Sequence, residues 1–182
     1  VYKMASLAYH EGIPGHHFQI ALAQESDLPG FRNSIIFDGY AEGWALYAEY
    51  IASEMGWYED DLYGDLGRLQ YEALRAARMV ADTGIHMYGW TQAEASTFLQ
   101  MNTGITKGFA DNEAWRYIAY PGQATAYLVG KIELMRLREE AMSALGDDFD
   151  IKAFHRVVLE NGSVPLMVLE EIVQQWIDEI LY

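Results

Sequence analysis

The sequence predicts an all-α protein, and three observations predict it. No stretch alternates apolar and polar residues over the length of a strand. Apolar residues instead recur at helical spacing, as in Leu66, Leu69, Leu74 and Ala77. Helix punctuation is frequent, with Thr91 followed by Glu94 as a capping box and Gly56 as a stop. A hydrophobic content of 51% with 14% aromatics belongs to a globular chain, and 182 residues allow one domain, 1–182, with a substantial core.

In chain order, residues 2–11 read as a helix and His17 to about Gln24 as its continuation after an interruption. Ser26 to Gly30 is a turn by its Asp, Pro and Gly content. A helix from about Ser34 to Met55 and another over 58–82 follow, then one over 91–101. Asn102 to Asn112, with Gly104 and Gly108, reads as a loop or flexible lid. Helices near 121–145, 150–160 and 165–181 complete the chain. There is no internal repeat and no low-complexity tract.

The interruption carries the chemistry. His10-Glu11-Gly12-Ile13-Pro14-Gly15-His16-His17 holds three of the five histidines, with a carboxylate directly after the first. Histidine is the commonest side-chain metal ligand at neutral pH, and a neighbouring glutamate can act as general base. The related template His-Glu-x-x-His places two zinc ligands one helical turn apart. Here Pro14 stands where the second histidine belongs. In an unbroken helix His16 lies about 240° around from His10, and His17 about 10.5 Å along the axis, so neither shares a metal with it. Pro14 removes the donor that would bond the His10 carbonyl, and Gly12 and Gly15 supply backbone freedom. A bulge absorbing two residues would give His16 the place of the second ligand. The alternative is a helix that ends at Glu11, with both histidines facing solvent from the next one.

A third ligand is required for a catalytic zinc. Glu42 lies among Ala41, Trp44 and Ala45, where an unpaired carboxylate would be costly to bury. Glu49, two turns on, either lines the same face and supports a ligand from behind or reaches solvent.

These residues resemble a known family. His10 to His17 followed by Glu42-Gly-Trp-Ala-Leu-Tyr-Ala-Glu49 is similar to domain-of-unknown-function family 885, a bacterial group resembling the gluzincin metallopeptidases. Asp82-Thr-Gly-Ile-His86 and Arg116-Tyr117 through Pro121-Gly-Gln-Ala124, Tyr127 and Gly130 match its later motifs. The resemblance implies a multi-helix gluzincin-like catalytic domain with a bulged zinc-binding helix. It implies His10, His16 and Glu42 as zinc ligands, and Glu11 as base. It leaves open whether His16 or His17 reaches the metal, with His17 otherwise in a supporting place.

Other polar residues then acquire candidate roles. Tyr127 is the first choice of donor to a developing oxyanion, because Tyr127-Leu-Val-Gly130 resembles a segment of the thermostable carboxypeptidases. His86 is the second, or else it is satisfied by a backbone carbonyl. Arg116 could clamp a peptide carboxylate, or pair with Glu113; Tyr120 and Tyr117 are weaker choices among thirteen tyrosines, with Tyr120 taken as a substrate contact beside Arg116. His155, alone on a late helix, reads as structural.

Charge and composition set outer limits. A net charge of −15 argues against nucleic acid, whose phosphates require Lys and Arg. The absence of cysteine excludes thiolate metal sites and disulfides. No run of about 18 apolar residues spans a membrane. The chain opens on Val1-Tyr2-Lys3 and reaches its key motif within ten residues, so it reads as the C-terminal part of a longer protein whose N-terminal portion packs on it. The expected function is zinc-dependent hydrolysis of peptide bonds in a bacterial periplasm or envelope. The alternatives are a non-catalytic metal-binding module and a hydrolase of esters or non-peptide amides.

Overall fold

The computed structural model describes residues 2–32 and 34–182. Among them it holds nine α-helices, a short 3-10 turn over Gly146–Asp148, and no strand. The helices are α1 (Met4–Glu11), α2 (His16–Glu25), α3 (Asp38–Glu54), α4 (Leu62–Tyr88), α5 (Gln92–Thr103), α6 (Lys107–Ala119), α7 (Gln123–Leu145), α8 (Ile151–Glu160) and α9 (Leu166–Leu181). No helix among the described residues is long and apolar enough to cross a membrane.

Helix α3 is the axis. Tyr40 and the unbroken run Gly43 to Glu49 are buried, so the helix is covered around most of its circumference rather than along one stripe. Small residues make that possible: Ala45, Ala48 and Ala52 let neighbouring helices close in. The closest approach is to α7, where a Cβ on Gly43 would lie 2.5 Å from the Gly130 Cα. Any side chain at either glycine would force the two helices apart. This contact fixes the register that sets Glu42 opposite the first turns of α7.

Two apolar clusters flank the axis. One joins Tyr40, Trp44 and Tyr47 of α3 to Leu134 and Leu137 of α7, Phe154 and Val158 of α8, and Leu169 and Val173 of α9. The other joins Leu74, Ala77 and Ala81 of α4 to α5 and α6 through Leu99, Ala114 and Tyr117. Each fully buried large side chain contributes roughly 1.5–3 kcal/mol by leaving water.

The helix ends explain where sequence reading and structure part. Helix α3 begins at Asp38 rather than near Ser34, because Phe37 is held extended with its N–H on Ser163 Oγ at 2.8 Å. Helix α4 begins at Leu62, since the Asp61 side chain accepts from Gly64 N. It runs on to Tyr88, where Gly89 (φ 70°) ends it and Trp90 N bonds the Gly84 carbonyl at 2.9 Å. The capping box of Thr91 and Glu94 is present at the start of α5.

The lid expected over Asn102–Asn112 is absent. Helix α5 continues to Thr103 and α6 begins at Lys107. Gly104 (φ 65°) terminates the first, and the Thr106 side chain caps the second at Phe109 N. Three residues suffice for the connection because both of its ends are capped. Gly108 lies in the first turn of α6, so it marks no break.

Candidate metal centre

The chain leaves helical geometry at Gly12 and re-enters at His16. Across the excursion Phe18 N bonds the Gly12 carbonyl at 3.3 Å, a span of six residues where an unbroken helix has four. Two residues are thus looped out of the hydrogen-bond ladder, Ile13 and Pro14 among the four non-helical positions, and the peptide between them is cis. Gly15 lies so close beneath the end of α1 that a Cβ there would collide with the carbonyl oxygens of His10 and Tyr9. Helix α3 holds the loop, because Trp44 Nε1 donates to the Pro14 carbonyl at 2.9 Å.

This path brings the His10 and His16 rings to 4.9 Å between centroids, nearly perpendicular. Glu42 meets both, its Oε2 lying 3.5 Å from His10 Nε2 and 3.3 Å from His16 Nε2. One possible ligand atom from each of the three residues lies within 4.8 Å of the others. Ligand atoms spaced about 2.0–2.1 Å from a tetrahedral zinc sit about 3.3–3.4 Å apart, the scale of these separations.

The proton inventory supports the fit. His10 Nδ1 is 2.7 Å from Glu49 Oε1, both side chains being 4% exposed or less. An ionised carboxylate can only accept, so Nδ1 carries the hydrogen. In the neutral ring Nε2 then turns a lone pair toward Glu42 Oε2, a repulsion that either a second proton on Nε2 or a cation between the two relieves. Burial opposes charge on both groups, but it is outweighed. The hydrogen bonds to Glu42 and Glu49 raise the His10 pKa, and those from His10 and His16, with the Tyr127 hydroxyl, hold Glu42 well below the usual carboxylate range. A metal ion would take the place of the shared proton. The residues present therefore fit zinc, with Glu49 orienting His10 from behind.

Beside the centre lies a cleft of about 470 Å³ whose lining includes Glu11, His16, Gln19, Ile20, Ile36 and Glu42. Glu11 is exposed at the end of α1. On the other side stands α7. Tyr127 is buried and stacks on His10 at 6.2 Å between centroids. Gln123 Nε2 donates to Glu42 Oε1 at 3.4 Å and to the Tyr127 hydroxyl at 3.5 Å.

The remaining candidates are placed differently. His17 is exposed one position past His16, away from the cluster. His86 donates its Nε2 hydrogen to the Tyr117 carbonyl at 3.0 Å, so the proposed oxyanion donor is engaged in joining α4 to α6. Arg116 pairs with Glu113 and donates to Gln123 Oε1 at 3.0 Å, which links it to the cluster without leaving it open. Tyr120 is 68% exposed at the end of α6. Tyr117 packs inside, bonding Glu113. His155 lies against Tyr47 and Trp44 in the first apolar cluster. Gln123, Gln19 and Arg75 were not singled out from sequence. Gln19 and Arg75 are buried polar groups with an unpaired nitrogen among the described residues, a signal that only packing reveals.

Residues 1–173 match the family described as bacterial protein of unknown function, DUF885. The chain belongs to that family. No curated protein matches it. Two solved structures share the fold of this DUF885 chain. The "putative lipoprotein from Colwellia psychrerythraea" is 46% identical with a TM-score of 0.96, over 98% of this chain and 31% of that one. A "putative lipoprotein of unknown function from Shewanella oneidensis" is 27% identical with a TM-score of 0.87, over 94% of this chain and 31% of that one. The chain thus spans about a third of the length of these relatives.

Proposed function

We propose that this DUF885 chain carries the centre of a zinc-dependent hydrolase of peptide bonds, related to the gluzincins as its motifs imply. The observation that supports the reading is the convergence of His10, His16 and Glu42 beside a cleft lined by Glu11. Held by these three residues, zinc would polarise a substrate carbonyl and lower the pKa of a water toward ~7.

The chain's own residues then divide the work. Glu11 follows His10 by one position, so its carboxylate projects about 100° away from that ligand and toward the cleft. There it acts as general base, taking a proton from the attacking water and returning it to the leaving amine. Glu49 keeps His10 in the tautomer that offers Nε2. The hydroxyl of Tyr127, with Gln123 as neighbour, is the donor for negative charge growing on the carbonyl oxygen, a contribution of about 10²–10³ in rate. Ile20 and Ile36 give the cleft an apolar wall for a substrate side chain. The names of the two structural relatives favour the cell envelope as the place of action.

Elemental analysis of the full-length protein, with turnover on mixed peptides, tests this. About one zinc per chain is expected, lost in His10→Ala and in Glu42→Ala. Glu11→Gln should keep the zinc and lose turnover by 10²-fold or more. Stoichiometric metal in His10→Ala, or Glu11→Gln turnover within a fewfold of wild type, would refute it.

A further inference from the structure

The cleft beside the metal centre follows one face of α2. His16, Gln19, Ile20, Ala23 and Gln24 line it, a spacing of three and four residues that keeps to a single side of the helix. His16 opens α2 at the centre, and the ten residues of the helix carry the groove up to about 15 Å away from it. Ile35 and Ile36 line it from the segment before α3. Ile20, Ile35 and Ile36 are 46%, 47% and 66% exposed, and because they line one groove they form a single apolar surface.

Arg32 stands in the turn beyond the far end of α2 and lines the same groove. It is the one lysine or arginine of the lining among the described residues. Its side chain makes a single polar contact among those residues, Nη1 donating at 3.2 Å to the Asn161 carbonyl at the end of α8. That bond anchors the guanidinium and uses one of its five donors. By contrast Arg68, Arg78, Arg116, Arg136 and Arg138 each pair with a carboxylate. The acidic groups of the lining have other work. Glu42 meets the two histidines, Glu11 stands at the centre, and Asp38 opens α3, where free backbone N–H groups favour its charge.

An anchored guanidinium with an open fork matches a carboxylate in two parallel hydrogen bonds. We propose that Arg32 is the specificity residue of this groove, which takes an extended peptide with an apolar side chain against the isoleucines and a carboxylate at Arg32. This rests on the hydrolase reading above. The helix length limits where that carboxylate stands. At ~3.3–3.6 Å per extended residue, 15 Å is about four residues, so the anion lies within about four residues of the scissile bond. It belongs either to the C-terminus of the substrate or to an acidic side chain.

The test is calorimetric binding of four N-acetylated pentapeptides to full-length protein stripped of metal by a chelator, so that none is cleaved. The reference is acetyl-Ala-Ala-Leu-Ala-Ala amide. Against it stand the same peptide with a free C-terminal carboxylate, and amides with Glu or Lys in the fourth place. At least one of the two acidic peptides should bind about tenfold more tightly than the reference, the scale of a hydrogen bond to a charged group. Preference for the free terminus assigns Arg32 to the chain end, and preference for Glu assigns it to a side chain. Arg32→Gln should abolish the preference with zinc content unchanged, while Arg32→Lys keeps part of it. The proposal is overturned if the reference binds as tightly as both acidic peptides, if the Lys peptide binds most tightly, or if none binds. An undiminished preference in Arg32→Gln overturns it as well. Should that variant fail to fold, the wild-type comparison and Arg32→Lys decide. An acidic preference in a protein without zinc or turnover would sink the hydrolase and spare the groove. Zinc and turnover without the preference would do the reverse.

Discussion

Glu49→Ala isolates the support of one ligand from the ligands themselves. The carboxylate accepts from His10 Nδ1 at 2.7 Å, between side chains that are 4% and 3% exposed. Water is not at hand to replace it, so truncation leaves a buried donor orphaned. Hydrogen bonds to charged groups contribute about 1.5–3 kcal/mol net, and every 1.4 kcal/mol is tenfold in affinity. Without Glu49 the imidazole is also free to move its hydrogen to Nε2, which removes the lone pair facing Glu42. Zinc affinity should therefore fall by about 10- to 100-fold, the range expected for groups that orient metal ligands. Glu49→Gln keeps an acceptor at the same place and loses only charge, so its loss should be smaller than that of Glu49→Ala. The measurement is zinc competition with a chromogenic chelator, with circular dichroism to confirm the helical fold of both variants. Affinity of Glu49→Ala within threefold of wild type would refute the reasoning, as would equal losses in the two variants.

Two other outcomes follow from the structure. Gly15→Ala puts a methyl group against the carbonyls of Tyr9 and His10, so it should lower stability by about 1–3 kcal/mol or more and reduce zinc content; an unchanged denaturation midpoint would contradict the close approach. His155 is held neutral by burial, reinforced by the Arg138 charge, with its pKa lowered to about 4 from 6.5. The unfolded chain therefore binds more protons between those values, and stability is lost as pH falls through that window, by at most about 3 kcal/mol. His155→Gln should flatten the pH dependence there, and identical slopes for the two proteins would exclude the effect.

What could be read from the sequence was local. His10, Glu11 and His16 are eight residues of chain or less from one another, and Pro14 between two glycines signals departure from the helix without further information. Glu42 and Glu49 are seven residues apart, which in a helix returns to the same face, so their partnership was open to periodicity alone. The lid misreading at Asn102–Asn112 arose from treating two glycines alike. Gly104 has a positive φ that ends a helix, whereas Gly108 sits inside one, and the sequence does not mark the difference. Gln123 stands inside the matched run Pro121 to Ala124 but received no role from it, and Arg75 had no local signal. Their places depend on α7 and α4 meeting the centre at one register, and the α7 register is set by the contact of Gly43 with Gly130.

That contact explains why the centre is built on a buried helix rather than on loops. His10 bridges two carboxylates of α3, with Nδ1 on Glu49 and Nε2 facing Glu42. One imidazole can do this only if the two carboxylates keep a fixed separation, and two turns of a helix packed on nearly all sides supply it. The same helix grips the Pro14 carbonyl through Trp44, which places His16, and meets α7 at Gly43, which places Tyr127 and Gln123. A shift of α3 by one residue would therefore move every candidate group at once. Its small residues, Ala45, Ala48 and Ala52 besides Gly43, are what exclude such a shift, because larger side chains would hold the neighbouring helices away and leave the centre without its walls.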